Sequence, residues 1–107
     1  MLKGILEGLV LEIISREEIY GYLIVKQLKE LDFADLAEAT VYALLLRLEK
    51  NRLVNVVRRP SDLGPPRKFY TLNFRGREQL SFFWKQWDFL SKRVNYLQKG
   101  GKIDEFK

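Results

Sequence analysis

Residues 39–72, which read ATVYALLLRLEKNRLVNVVRRPSDLGPPRKFYTL, carry the clearest indication of the fold. Its first part repeats apolar residues every three or four positions, as a helix with one buried face requires. From Leu53 the pattern changes to two runs rich in β-branched and aromatic residues, at 53–58 and 67–72, separated by a turn rich in proline and glycine at 59–66. We therefore predict a helix followed by a β-hairpin with a long tip.

The predicted helix has one apolar face, formed by Val41, Leu44, Leu45 and Leu48. The other positions form the opposite face: Ala39, Thr40, Tyr42, Ala43, Leu46, Arg47 and Lys50. Residues 35–38 read DLAE, which has the form of a capping box: the first carboxylate accepts from an early helical amide while the second reaches back. We predict that the helix begins at this box and ends near Asn51.

Two more helices are predicted upstream of this stretch. Apolar residues at spacings of three and four indicate one helix over residues 2–15 and another over residues 19–31, whose inward positions are Leu23, Ile24, Leu28 and Leu31. Three helices followed by a hairpin are typical of a winged helix, in which the third helix enters a groove of DNA and the hairpin forms the wing. The predicted fold class is α+β, mostly α, with a two-stranded wing.

A long helix is predicted near the end of the chain, over about residues 75–98. Its apolar residues alternate at spacings of three and four, the pattern of a coiled-coil seam: Leu80, Phe83, Trp87, Leu90, Val94 and Leu97. At 1.5 Å per residue this helix is about 36 Å long, more than a small domain needs for its own core. We therefore predict a DNA-binding domain at 1–74, a homodimerisation helix at 75–99 and a flexible tail at 100–107.

The composition excludes several classes of protein. The chain has 107 residues, 47% of them hydrophobic and 31% charged, which suits one folded domain. It contains no cysteine and no histidine, so disulfides, the usual zinc sites and most acid–base chemistry are disfavoured. We predict no enzymatic activity, no cofactor and no metal. Because no apolar run approaches the roughly 20 residues that span a bilayer, we predict a soluble cytoplasmic protein with no membrane contact.

The basic residues are concentrated in the hairpin. Residues 1–51 carry six basic and nine acidic groups, whereas residues 52–77 carry seven basic groups and one acidic group. Such a local excess suggests contact with a polyanion, although a positive face that only keeps a protein soluble is about as common. We predict that the wing contacts double-stranded DNA through five residues: Arg58, Arg59, Gly64, Arg67 and Lys68.

On the third helix, the predicted DNA contacts are Thr40, Tyr42 and Arg47, because hydroxyl and guanidinium groups bind phosphates and base edges. The structural alternative is that Tyr42 packs against the wing and Arg47 pairs with Glu49 or another nearby acid.

Aromatic residues on the seam of the last helix could bind a small aromatic ligand by stacking. The candidate residues are Trp87, Phe83 and Leu90, with Leu9 and Ile13 of the first helix as walls. The alternative is that this aromatic stripe is ordinary packing, as helical spacing usually indicates, and Trp84 fits that alternative even better.

Five motifs of this sequence resemble the PadR-type (phenolic acid decarboxylase regulator) transcriptional repressors of bacteria. They are Leu2-Lys3-Gly4, Tyr20-Gly21-Tyr22, Ala39-Thr40-Val41-Tyr42, Leu45-Leu46-Arg47-Leu48-Glu49-Lys50 and Gly64-Pro65-Pro66-Arg67-Lys68-Phe69-Tyr70. Each motif is weak by itself, but the combination is specific and spans residues 2–98 in the expected order. The short last part resembles the compact branch of the family, which includes multidrug-efflux regulators.

The resemblance implies a winged-helix homodimer joined through its C-terminal helix, which represses a promoter until a small molecule or stress signal relieves it. It also implies that a tryptophan of the last helix lines a drug site. Two DNA-binding domains related by a two-fold axis, called heads below, require an inverted-repeat operator. The family commonly has glycine and proline where this chain has Ala39 and Ala43, and a capping serine where it has Ala37, so the base-reading details should differ.

Two rival functions remain at this point. A winged helix can also serve as a protein–protein interaction module without specific DNA binding, in which the basic wing docks an acidic partner. A small hydrolase or transferase is the weaker rival, because the sequence offers no convincing pair of nucleophile and base.

Overall fold

The computed structural model describes residues 3–33, 35–61 and 63–106. In chain order the elements are α1 (Lys3–Arg16), β1 (Ile19–Tyr20), α2 (Gly21–Glu30), α3 (Glu38–Lys50), β2 (Val54–Ser61), β3 (Gly64–Leu72) and α4 (Phe74–Gln98), followed by a short 3₁₀ turn (Ile103–Glu105). The fold is α+β and mostly helical, with a hairpin after three helices, which confirms the predicted winged helix.

The hairpin belongs to a sheet of three antiparallel strands in the order β1-β3-β2. The third strand is β1, where Ile19 pairs with Tyr70 and Tyr20 with Phe69. The prediction that α2 starts at Ile19 is therefore wrong: Ile19 is buried and paired in the sheet, and Tyr20, in extended conformation, occupies the N-cap position of α2. A β-branched and an aromatic residue suit a strand position better than a helix start.

The hairpin is longer and its turn shorter than predicted. Strand β2 continues to Ser61 and β3 starts at Gly64, so most of the proline-rich stretch lies in paired strands. Register shifts between Arg59 and Ser61, where Pro60 cannot donate a hydrogen bond to the neighbouring strand. Asp62, which falls within the predicted turn, lies outside the described residues.

Helix α3 starts later than predicted, and the prediction of a capping box at its start is wrong. Ala37 occupies the N-cap position in extended conformation and makes no side-chain cap hydrogen bond. Asp35 therefore lies two residues before the N-cap, and Glu38 is the first helical residue instead of the third. The Glu38 carboxylate is engaged instead by Lys29, whose Nζ lies 3.4 Å from Oε1.

The core is formed by apolar residues of every helix and of all three strands. On α3 all four predicted inward positions are buried: Val41, Leu44, Leu45 and Leu48. On α2 the prediction is wrong at Leu31, which is 58% exposed because the helix ends at Glu30, while Val25 is buried instead. Gly76 of α4 allows close contact with the hairpin, since a Cβ there would strike the Leu53 carbonyl oxygen.

Helix α4 starts at a side-chain cap, where the Asn73 Oδ1 accepts from the Gly76 amide at 2.8 Å. Its first turns pack on the domain: Leu80 is buried, and the Phe83 ring lies over Gly8 of α1, where a Cβ would strike the ring. The later seam positions are about half exposed, namely Trp87, Leu90, Val94 and Leu97. Among the helices of the described residues, none has both the length and the apolar character needed to cross a membrane.

The residues after α4, predicted to form a flexible tail, lie against the end of that helix. Gly100 has a φ of +88°, which reverses the chain direction, and the Tyr96 hydroxyl donates to the Lys102 carbonyl at 2.8 Å. The ring of Phe106 lies edge-on to Tyr96, 4.9 Å between centroids. The last residue, Lys107, lies outside the described residues.

Candidate nucleic-acid interface

The outward face of α3 is the first component of the site. All seven residues predicted to face away from the core are exposed: Ala39, Thr40, Tyr42, Ala43, Leu46, Arg47 and Lys50. Two of the predicted contacts lie on opposite flanks of this face. Tyr42 is next to α2, where Gly21 makes room for its ring, while Arg47 points to α1, with Nη2 3.6 Å from Glu7 Oε1.

The hairpin supplies the second component, and strand register sorts its cations onto two faces. Arg58 is paired with Lys68 across the hairpin, on the same face as the buried Tyr70. On that face Lys68 Nζ lies 3.1 Å from Oε1 of Glu49, so an ion pair connects the wing to α3. The buried position of Tyr70, together with the negative charge of Glu49, raises the pKa of the tyrosine hydroxyl.

Arg59 and Arg67 are paired on the other face of the hairpin, with Phe69. The Arg59 guanidinium binds both carboxylate oxygens of Glu18, with its Nε 2.8 Å from Oε1 and its Nη2 3.1 Å from Oε2. Arg67 instead lies over the Tyr20 ring, 4.6 Å from its centroid. Among the described residues, Arg58 and Arg67 form no ion pair, so these two guanidinium groups are the wing cations most available to an external anion.

A groove of about 480 Å³ runs between α2, α3 and the wing. Its walls bring together side chains that are far apart in the sequence: Tyr20, Tyr22, Tyr42, Leu46, Arg67 and Lys68. Hydroxyl groups beside cations suit a phosphodiester backbone, which accepts hydrogen bonds and carries negative charge. Gly64 lies at the far end of the wing with a φ of +152°, a conformation that favours glycine.

The residues predicted to bind a ligand do not form a single cluster in one chain. Leu9 and Ile13 line a cavity of about 610 Å³ together with Trp84, Glu12 and Arg16. Phe83 packs on Gly8 and meets Trp84 edge-on, 4.9 Å between centroids. Trp87 and Leu90 lie further along α4, on its exposed seam.

Trp84 has a specific partner that the sequence did not indicate. Its indole Nε1–H donates to Glu12 Oε1 at 2.9 Å, and Arg16 Nε binds Oε2 of the same carboxylate at 3.1 Å. Partial burial raises the pKa of Glu12, but the hydrogen bonds from Trp84 and Arg16 and the Arg16 charge outweigh it, so the pKa lies below its usual value.

Four residues of the site were not predicted from the sequence: Glu7 and Glu18 as partners of the predicted DNA-contacting cations, and Tyr20 and Tyr22 as groove residues. The Tyr-Gly-Tyr motif was the one available signal for the groove, because a glycine between two aromatics indicates close approach by another part of the chain. No local signal indicates the two glutamates, since they lie about 40 residues from their partners along the chain.

An exposed third helix beside a basic hairpin places this chain in the winged-helix class of regulators. The profile of the Transcriptional regulator PadR-like family matches residues 10–81. A transcriptional regulator from Streptococcus, known from its crystal structure, is 45% identical over 90% of this chain and 94% of that chain, with a TM-score of 0.82. A PadR-like transcriptional regulator from Bacillus cereus strain ATCC 14579 is 44% identical over 94% and 97% of the two chains, with a TM-score of 0.82.

The crystal structure of Bacillus subtilis PadR in complex with operator DNA is more distant and shows similarity of fold. It is 22% identical, has a TM-score of 0.68, and the match covers 75% of this chain and 47% of that chain. From the profile match and the two near relatives, the chain belongs to the PadR-like family of transcriptional regulators. Members of this family are regulators and not enzymes, which confirms the prediction of a non-enzymatic protein.

Proposed function

We propose that this chain is a dimeric, sequence-specific DNA-binding repressor, working in the bacterial cytoplasm where its operator is. The observation that carries the proposal is the groove in which Tyr42 and Leu46 of α3 stand beside Arg67 and Lys68 of the wing. A helix that enters a major groove and a basic hairpin beside it can contact base edges and backbone at the same time.

In this proposal the two components have different tasks. Thr40, Tyr42 and Arg47 act with α3 in the major groove, while the cations of the wing neutralise phosphates of the flanking backbone. Arg58 and Arg67 do so directly, and Arg59 and Lys68 exchange Glu18 and Glu49 for phosphate. Gly64 at the end of the wing lets its backbone approach the duplex closely.

The proposed dimer forms along the seam of α4. Trp87, Leu90, Val94 and Leu97 are about half exposed in one chain, and a second copy packed on them would remove that apolar surface from water. A two-fold axis through this seam fixes the separation of the two heads. The operator should therefore be an inverted repeat with half-sites about one helical turn apart.

Relief of repression is proposed to occur through a flat apolar ligand held between the paired α4 helices, with Trp87, Phe83 and Leu90 as its contacts and Leu9 and Ile13 as walls. A ligand that prefers one separation of the heads shifts the population of dimers toward that separation. A coupling free energy of about 1 to 3 kcal/mol would change operator affinity roughly 5- to 150-fold.

The test of DNA binding is the salt dependence of affinity for a fragment on which the purified protein gives a discrete footprint. If a dimer neutralises about six phosphates, the logarithm of the association constant should fall against the logarithm of salt concentration with a slope of roughly −5. Arg67→Ala removes one cation from each protomer and should reduce the magnitude of the slope by about 2.

Lys99→Ala is the matched control, because it removes an exposed cation at the end of α4, away from the wing. It should leave the slope unchanged. Binding with no discrete footprint and no salt dependence would contradict the proposal and favour a protein-docking role for the winged helix.

A further inference from the structure

The outermost ridge of α3 consists of Ala39, Ala43, Leu46 and Lys50, spaced by four, three and four residues. At about 100° per residue, this ridge lies opposite the buried stripe of the same helix. All four residues are exposed, and Leu46 is 58% exposed. If α3 enters a groove of DNA, this ridge penetrates deepest.

Two charged side chains of α3, Arg47 and Glu49, lie on the flanks of this ridge and form ion pairs with other elements. On one flank, Arg47 is paired with Glu7 of α1 at 3.6 Å. On the other flank, Glu49 is paired with Lys68 of the wing at 3.1 Å. The first three ridge residues carry only methyl and isobutyl groups, so their side chains cannot read a hydrogen-bond pattern on base edges.

The group in the major groove that offers apolar contact is the 5-methyl of thymine. Two cations lie close to the apolar part of the ridge, Lys50 at its end and Arg67 in the adjoining groove, and this charge suits a polyanion better than an apolar protein surface. We propose that Ala39, Ala43 and Leu46 add to operator specificity, beside the polar contacts of Thr40, Tyr42 and Arg47, by contacting thymine methyl groups. This inference rests on the proposed DNA-binding function, and it names the bases that the helix selects.

The test begins with a duplex selected from a random library by the purified protein. Each thymine of the selected half-site is then replaced by deoxyuridine, which removes the methyl and leaves the hydrogen-bonding groups unchanged. Where a methyl is contacted, we expect binding to weaken about fourfold, the effect of exposing one buried methylene-sized group. Replacing the symmetry-related thymines together should weaken binding about 16-fold.

The variant Leu46→Ala identifies the residue that makes the contact. It should lower affinity for the thymine duplex and abolish the deoxyuridine penalty at one position of the half-site, while the penalties at other positions persist. Leu31→Ala is the matched control, because Leu31 is also 58% exposed but lies at the end of α2. It should leave every penalty unchanged. Melting curves of both variants verify that they fold.

Two results would overturn the inference while leaving the proposed function intact. One is a selected duplex that binds tightly with no penalty for deoxyuridine at any position. The other is a penalty pattern that is identical in wild type and Leu46→Ala. A library that yields no preferred sequence, with no salt-dependent binding, would instead overturn the proposed function together with this inference.

Discussion

Among single residues, three proposed DNA-contacting cations are each paired with a glutamate from a distant part of the chain. Arg47 pairs with Glu7, Arg59 with Glu18 and Lys68 with Glu49. Exposed ion pairs contribute about 0 to 1 kcal/mol, so a phosphate can replace the carboxylate at little cost. The glutamates therefore orient the cations without preventing them from binding phosphate in the proposed complex.

Glu12 supports a prediction at the same scale, about stability and pH. Its pKa is lowered in the folded protein, so its contribution to the free energy of unfolding is present above the ordinary carboxyl pKa and lost as pH falls through the folded value. Urea unfolding of wild type and Glu12→Gln, from about pH 7 down to about pH 3, should show the wild-type advantage shrinking at acidic pH. The glutamine keeps an oxygen that accepts from Trp84. A wild-type advantage that is constant with pH would contradict the role assigned to the Glu12 charge.

At the scale of elements, α4 combines two functions along its length. Its beginning is fixed to the domain by the Asn73 cap and by Phe83 over Gly8 of α1. Its later turns present an apolar seam to solvent. Because both parts belong to one continuous helix, a shift of the seam would also move the DNA-binding domain to which the start of α4 is fixed.

The two tryptophans of α4 allow the proposed ligand site to be tested. A planar aromatic dye such as acridine orange should quench tryptophan fluorescence of the wild type in a saturable manner, because stacking brings the ring systems into contact. Trp87→Ala should abolish saturable quenching of the remaining Trp84, whereas Trp84→Phe should preserve quenching of Trp87. Saturable quenching that survives in dimeric Trp87→Ala would place the ligand in the cavity beside Trp84 instead.

At the scale of the whole molecule, one chain extends 60 Å along its longest axis but only 31 and 20 Å along the others. The projecting end of α4 explains this shape, since its seam residues find little to pack on within one chain. A single winged helix also contacts only one half-site, so specific binding to an inverted repeat requires two connected heads.

A charged side chain placed in the seam of α4 should therefore prevent the proposed dimer from forming. Val94→Glu buries two carboxylates near each other in the proposed dimer, which is strongly unfavourable, so sedimentation should show a monomer. The footprint should be lost with it. Asn95→Glu, which places the same charge on the next, exposed position, is the control and should remain dimeric. A Val94→Glu protein that is still dimeric would refute the proposed seam.

Much of this protein can be predicted from local sequence patterns. The two faces of α3 follow from the spacing of Val41, Leu44 and Leu48, and the strands follow from β-branched runs on either side of a turn. The concentration of basic residues in the hairpin can likewise be read from the sequence. These features depend on neighbours within a few residues along the chain, which is why periodicity and composition predict them.

Features that depend on residues distant in the sequence could not be predicted in this way. Ile19 is a strand residue because Tyr70 is there to pair with it, and the capping box fails because Ala37, and not Asp35, occupies the N-cap position of α3. Glu18 binds Arg59 across 41 positions of sequence, and Glu12 binds Trp84 across 72. Periodicity and composition are therefore enough to predict the helices, the hairpin and the location of the charge. Which acid pairs with which cation follows from packing in three dimensions, because such pairs are set by the proximity of distant segments and not by spacing along the chain.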